Sequence, residues 1–310
     1  MTTDGYPTRT LDNGEVRVTL ALPDAERGYY RGSRFDWSGV ILQVEHRGHT
    51  FCQPLHERHD PLGHDAITGP AGELGLTEPL GYTEARPGES FLKIGVGRLE
   101  KRANEPYAFD GAYRLIEPGT WSIEHSPTAI AFEQRLEGER GWAYRYRKTV
   151  ELLPGEPAFR IAHELENTGS RLIDTDVYNH NFTCIDGDPV GPNANIELPF
   201  PVEGITEDDR AHLEGHTLRV KRELEAGESM WFPLFEGERP ARFHEATIRN
   251  ERTGASMTFR GDAPVSKMVF WAVRRAVCVE PFESVLARPE SGTASAMRFT
   301  FAADSSPAVR

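Results

Sequence analysis

Between Trp142 and Leu152 the side chains alternate without a break. Trp142, Tyr144, Tyr146, Lys148, Val150 and Leu152 fall on one side, and Ala143, Arg145, Arg147, Thr149 and Glu151 fall on the other. A period of two marks a strand with one buried face, whereas a helix would scatter these residues around its circumference. Pro154-Gly155-Glu156 turns the chain into a second alternating segment, Ala158–Glu166, which Asn167-Thr168-Gly169 closes. The same pattern predicts strands at Val16–Leu22, Val40–Glu45, Thr50–Cys52, Trp121–His125, Ala129–Leu136, Ala246–Asn250, Ser256–Arg260, Met268–Val273, Ala276–Glu280 and Met297–Phe301. His46-Arg47-Gly48-His49 and Glu251-Arg252-Thr253-Gly254 read as hairpin turns. Amphipathic helical windows are scarce. The 29 Gly and 22 Pro punctuate the whole chain and gather into no linker. The fold class is therefore all-β, a large antiparallel sandwich, with residues 1–310 as a single domain and a loose tail from Ala302.

Charge narrows the partners. Lys plus Arg is 35 and Asp plus Glu is 48, a net charge of −13. Nucleic acid and anionic membranes both select clustered cations, so neither is an expected partner. No apolar run approaches the roughly 20 residues of a spanning helix. The start, MTTDGYPTRT, lacks a basic-then-apolar targeting pattern. Cys52, Cys184 and Cys278 are odd in number and far apart, so neither a disulfide framework nor a zinc spacing is expected. Those features predict a cytoplasmic protein with reduced thiols, monomeric or homodimeric.

Two segments break the hairpin rhythm and read as long loops, Pro54–Leu80 and Asn179–Pro201. Long loops on a β scaffold often carry function. The first holds His56, Glu57, His59, Asp60, His64 and Asp65, but Pro54, Pro61 and Gly63 forbid the helix of a two-His zinc site, so it reads as a solvated loop and no metal is expected. The second opens with Asn179-His180-Asn181-Phe182 after a predicted strand, and Cys278-Val279-Glu280-Pro281 follows much later. A His and a Glu converging on one site make an acid/base pair, since imidazole titrates near neutrality and burial raises a carboxyl toward that range. Taken singly, His180 is equally a hydrogen-bonded core residue and Glu280 a solvated strand residue.

The order of these motifs resembles the galactose-mutarotase-like group, which includes the aldose 1-epimerases and the glucose-6-phosphate 1-epimerase-like proteins. Tyr144 to Leu152 is similar to the strand before the family's histidine, Phe159–Asn167 with Thr168-Gly169-Ser170 to its strand and N-x-G turn, and Asn179-His180-Asn181-Phe182 to its H-x-[YF] motif. Trp271 to Pro281 looks most like the sugar-phosphate branch. The resemblance implies a β-supersandwich of two large antiparallel sheets, an open groove for a sugar, and no cofactor. It also implies that Glu280 takes the anomeric proton, that His180 protonates the ring oxygen, and that the two face each other across a sugar-sized gap.

The family's Arg and second-His motifs are absent in their usual form. Gly97-Arg98-Leu99 is the nearest match to the first, although Arg98 reads equally well as a surface strand residue. His64 is the candidate for the second, with Asp65 beside it as a further ligand for substrate or as a loop-turning residue. Tyr29 to Gly39 mixes aromatics with Arg31, Arg34 and Asp36, a set that suits sugars and their phosphates. Its bland alternative is a strand with Phe35 and Trp37 in the core and Arg34 with Asp36 an exposed pair. Trp271 is either a sugar platform or core. The sequence thus points to an isomerase of sugar anomers acting on an aldose, a sugar phosphate or another anionic sugar. The alternatives are a non-catalytic carbohydrate-binding or regulatory module and, third, a lyase or hydrolase in the same groove.

Overall fold

The computed structural model describes residues 5–202 and 209–304. Its strands are β1 (Thr8–Asp12), β2 (Arg17–Ala21), β3 (Val40–His46), β4 (His49–Thr50), β5 (Gly69–Leu74), β6 (Ser90–Lys93), β7 (Gly97–Glu100), β8 (Leu115–Glu117), β9 (Thr120–His125), β10 (Ala129–Glu137), β11 (Ala143–Leu152), β12 (Ala158–Asn167), β13 (Ile173–Phe182), β14 (Ala194–Glu197), β15 (Ala211–Glu214), β16 (Thr217–Val220), β17 (Ser229–Arg239), β18 (Glu245–Asn250), β19 (Ala255–Gly261), β20 (Val265–Val273), β21 (Ala276–Ala287) and β22 (Gly292–Ala303). Helix is confined, among the described residues, to two three-residue turns at Glu139–Gly141 and Ala241–Phe243. No helix among them is long and apolar enough to cross a membrane.

Two large antiparallel sheets build a β-supersandwich. One has ten strands in the order β15-β16-β14-β18-β19-β22-β12-β11-β10-β9, and the other has five, β17-β20-β21-β13-β5. A four-stranded sheet, β1 to β4, and a three-stranded sheet, β6 to β8, flank them. The alternation at Trp142–Leu152 is realised in β11, whose Tyr144, Tyr146, Lys148, Val150 and Leu152 are all buried. The main core draws Phe132, Val150 and Phe159 from the ten-stranded sheet, Val18 and Ile41 from the four-stranded sheet, and Phe270 and Val279 from the five-stranded sheet. The β3–β4 hairpin turns on Arg47 and Gly48, both at positive φ (49° and 83°), the conformation whose twist matches paired strands.

Several expectations are corrected. The segment Pro54–Leu80 is not one loop, since it contains β5, which pairs with β13. Asn179–Phe182 is not a loop entrance but the last part of β13, and β14 lies inside the expected second loop. Residues 28–39 form bends and turns rather than a strand. Phe35 and Trp37 are core as expected, but Arg34 and Asp36 are buried rather than exposed. Asp36 receives Lys148 Nζ at 3.2 Å and the Tyr146 hydroxyl at 2.9 Å. That ion pair explains how a lysine occupies the buried face of β11, since a buried charge is tolerated only when paired. The expected tail is ordered through Ala303 in β22, and residues 305–310 lie outside the described residues.

Candidate active site

The five-stranded sheet places the candidate residues in rows. On β13, Tyr178 pairs with Phe282, and Thr183 just beyond the strand bridges to Val277. The same register carried between these points sets His180 opposite Glu280 and Phe182 opposite Cys278. Adding the neighbours on β5, β20 and β17 gives three rows on one face. The first runs Gly69, Phe182, Cys278, Trp271, Trp231. The second runs Ala71, His180, Glu280, Val269, Pro233. The third runs Glu73, Tyr178, Phe282, Lys267. Opposed side chains on adjacent strands touch, so the two sequence motifs become one site through strand pairing alone.

His180 Nε2 lies 3.1 Å from Glu280 Oε1. The pair therefore does not face itself across a sugar-sized gap, as the resemblance implied. Cross-strand neighbours stand side by side and present the same edge to the space above the sheet. That space is a cavity of about 410 Å³, lined by both residues together with Arg34, Lys267, Trp271 and Phe182. Glu280 Oε1 and His180 Nδ1 are buried and carry no hydrogen bond to any described group. The imidazole is held by rings instead. Phe182 stacks on it with centroids 3.8 Å apart, and Trp271 meets it edge-on at 5.1 Å.

Burial sets the charge state of the pair. It pushes the Glu280 carboxyl up from 4.5 to about 8, with Arg34 and Lys267 pulling down and Glu73 pushing up. Burial, followed by the Arg34 charge, drives the His180 imidazole well below 6.5. Both shifts favour the uncharged forms, a protonated carboxyl beside a neutral imidazole. Cys278 Sγ completes a trio of donor atoms, with His180 and Glu280, that lie within 4.8 Å of one another. Burial holds that thiol well above its ordinary 9.

Beside the pair, Arg34 is locked in place. Its Nε donates to Glu73 Oε2 at 2.9 Å and its Nη2 to the Tyr178 hydroxyl at 2.6 Å. The Tyr178 hydroxyl donates to Glu73 Oε2, and Lys93 Nζ donates to Glu73 Oε1, each at 2.9 Å. The guanidinium lies between the rings of Phe35 and Phe109, 4.4 Å from each centroid. Although burial disfavours its charge, Tyr178 and Glu73 keep it up.

No sequence-family model and no curated protein matches the chain. Solved structures do. The Slr1438 protein of Synechocystis sp. PCC 6803 superposes with a TM-score of 0.60 at 13% identity, over 98% of each chain. A galactose mutarotase-like protein from Lactobacillus casei gives 0.56 at 11% identity, over 95% of this chain and 100% of that one. An aldose epimerase homologue from C. elegans gives 0.53 at 11%, over 96% and 99%. The fold is galactose mutarotase-like.

On this mutarotase-like scaffold six of the seven residues singled out from the sequence line or form the pair's cavity: His180, Glu280, Arg34, Trp271, His64 and Asp65. Asp65 is held by His56 Nε2 at 2.9 Å and lies 3.8 Å from His64 Nδ1. Arg98 is not among the lining residues. It stands on β7 in an ion pair with Glu117 at 2.7 Å, both partners partly exposed. Arg98→Ala is expected to leave kcat/KM for any sugar within about twofold of wild type, because an exposed pair contributes at most ~1 kcal/mol and touches nothing in the cavity; steady-state kinetics check this. Sequence reading missed Glu73, Lys93, Lys267 and Trp231. Glu73 was hidden by reading β5 as loop, and Trp231 had a usable signal in the alternation of Met230, Phe232 and Leu234 against it.

Proposed function

We propose that this chain interconverts the anomers of an aldose by acid/base ring opening, with His180 and Glu280 as the proton-transfer pair. The observation that carries the reading is the side-by-side placement of His180 and Glu280 in a cavity with aromatic walls. Ring opening removes a proton from the anomeric hydroxyl and delivers one to the ring oxygen. Both oxygens are bonded to the same carbon, so two groups in contact along one edge can serve both. Rotation about the C1–C2 bond and closure on the other face then inverts the anomer. The family resemblance makes Glu280 the base and His180 the acid. The resting electrostatics put the proton on Glu280 instead. Both descriptions place one proton on the pair, whose facing atoms lie 3.1 Å apart.

Arg34, His64 and Asp65 are the proposed substrate-positioning groups, Trp271 a stacking wall. Lys267 lies over the Phe282 ring at 4.1 Å and has no ion pair among the described residues. Its charge favours an aldose bearing a phosphate or carboxylate over a neutral one. A single domain over residues 1–310 is supported by one core cluster that reaches from Leu11 to Phe301. The three unpaired, buried cysteines suit a reducing compartment such as the cytoplasm.

The pH profile of anomer exchange tests the shared proton. Above about pH 8 the pair loses its proton and has no acid, so kcat/KM is expected to fall tenfold per pH unit there. On the acid side the rate holds until His180 protonates, well below pH 6.5. A rate that climbs through pH 8 contradicts a singly protonated pair.

A further inference from the structure

The cavity does not end at the catalytic pair. Along the first row, Trp271 and Trp231 are directly opposed on β20 and β17. Trp271 touches His180, so it belongs to the ring over the pair. Trp231 stands farther out at the cavity rim on the edge strand β17, 58% exposed. It lies two strands and one row from Glu280, on the order of 10 Å away. Burying a tryptophan is favourable, and an indole left more than half exposed on an edge strand costs solubility and invites association. The described residues leave more than half of this one uncovered. It lines the same cavity as Trp271, its partner in the register, at a distance from the pair that exceeds the reach of one pyranose ring.

We propose that Trp231 is the platform for a second sugar ring, and that the preferred substrate is a reducing disaccharide or longer chain whose free anomeric carbon sits at His180 and Glu280. This rests on the function proposed above. It is independent of the charge at Lys267, which lies on the third row, on the opposite side of the pair. Aliphatic faces of pyranose rings pack on indole, and an edge strand leaves the second ring's far end open to solvent, so chain length beyond two rings is not limited by the wall.

The test compares anomer exchange of glucose with that of maltose and cellobiose by NMR saturation transfer, in wild type, Trp231→Ala and Trp231→Phe. Wild type is expected to show kcat/KM about tenfold higher for at least one disaccharide than for glucose, the yield of one stacked ring. Trp231→Ala is expected to bring that ratio to near one by lowering the disaccharide value, and Trp231→Phe to keep most of it. A wild-type ratio near one overturns the proposal, as does a Trp231→Ala variant whose ratio is unchanged. A change in sedimentation without a change in ratio also overturns it, and assigns Trp231 to contact between copies. Absence of exchange with every aldose, linked or free, removes the underlying function and is distinct from these outcomes.

Discussion

Glu280→Gln is expected to lower kcat/KM for anomer exchange by about 10²–10⁴-fold, the usual contribution of a positioned proton-transfer group. The amide keeps the shape of the carboxyl and its place opposite His180, but it can neither hold nor release the shared proton. His180→Asn is expected to fall as far, and the double variant hardly farther, because two groups that share one proton act as a unit. The same Glu280→Gln change has an opposite effect on stability. The wild-type carboxyl titrates near 8 when folded and near 4.5 when exposed. The stability that its protonated form contributes is complete below about 4.5 and is lost as pH rises through 8. A glutamine has no such loss. Thermal unfolding at pH 9 should therefore show the variant several degrees above wild type, and at pH 4 the two should coincide. An inactive variant that is also less stable at pH 9 would mean that the mutation damaged the site rather than removed a proton.

Glu73→Ala is the second large effect, and it falls on stability. Glu73 is fully buried and accepts from Arg34, Lys93 and Tyr178 together. Its removal leaves a guanidinium and an ammonium in the interior with no carboxylate. Breaking a buried ion pair from one side costs about 3–5 kcal/mol, on the order of 10 °C in Tm for a chain of this size. Burial already presses the Lys93 ammonium below its ordinary 10.5, and Glu73, followed by Asp176, pushes back. Without Glu73 the lysine is expected to shed its proton, so the deficit should shrink at alkaline pH. Differential scanning calorimetry across pH checks both the size and the trend. A loss below about 1 kcal/mol would mean that water reaches Arg34 and Lys93 freely.

The sheets were legible because amphipathic strands advertise themselves. Tyr144 to Leu152 and Ala158 to Asn167 alternate, and their hairpin carries Pro-Gly. β5 was not legible. All six of its residues are buried, so Gly69-Pro70-Ala71-Gly72-Glu73-Leu74 has no polar face to alternate with and reads as turn. Pro70 is tolerated because β5 is the last strand of its sheet. Arg34 and Asp36 were misplaced for a related reason. Phe35 and Trp37 alternate by chance in a loop, and the partners that bury the two charges, Glu73 and Lys148, lie 39 and 112 residues away in sequence. The pair itself was legible as residues but not as geometry. His180 and Glu280 were each marked by a short motif, while their 3.1 Å contact follows from a strand register that no local pattern records.

Whether His180 and Glu280 turn sugar anomers over is open to a direct measurement. Anomer exchange at equilibrium, read by saturation transfer between the two H1 resonances of an aldose with and without the wild-type protein, tests it without any coupling enzyme. Transfer is expected to grow in proportion to protein concentration for at least one member of a panel of neutral, phosphorylated and linked aldoses. Transfer equal to the uncatalysed rate across that panel, from protein that binds one of the sugars, would contradict it and leave a carbohydrate-binding module on the same scaffold.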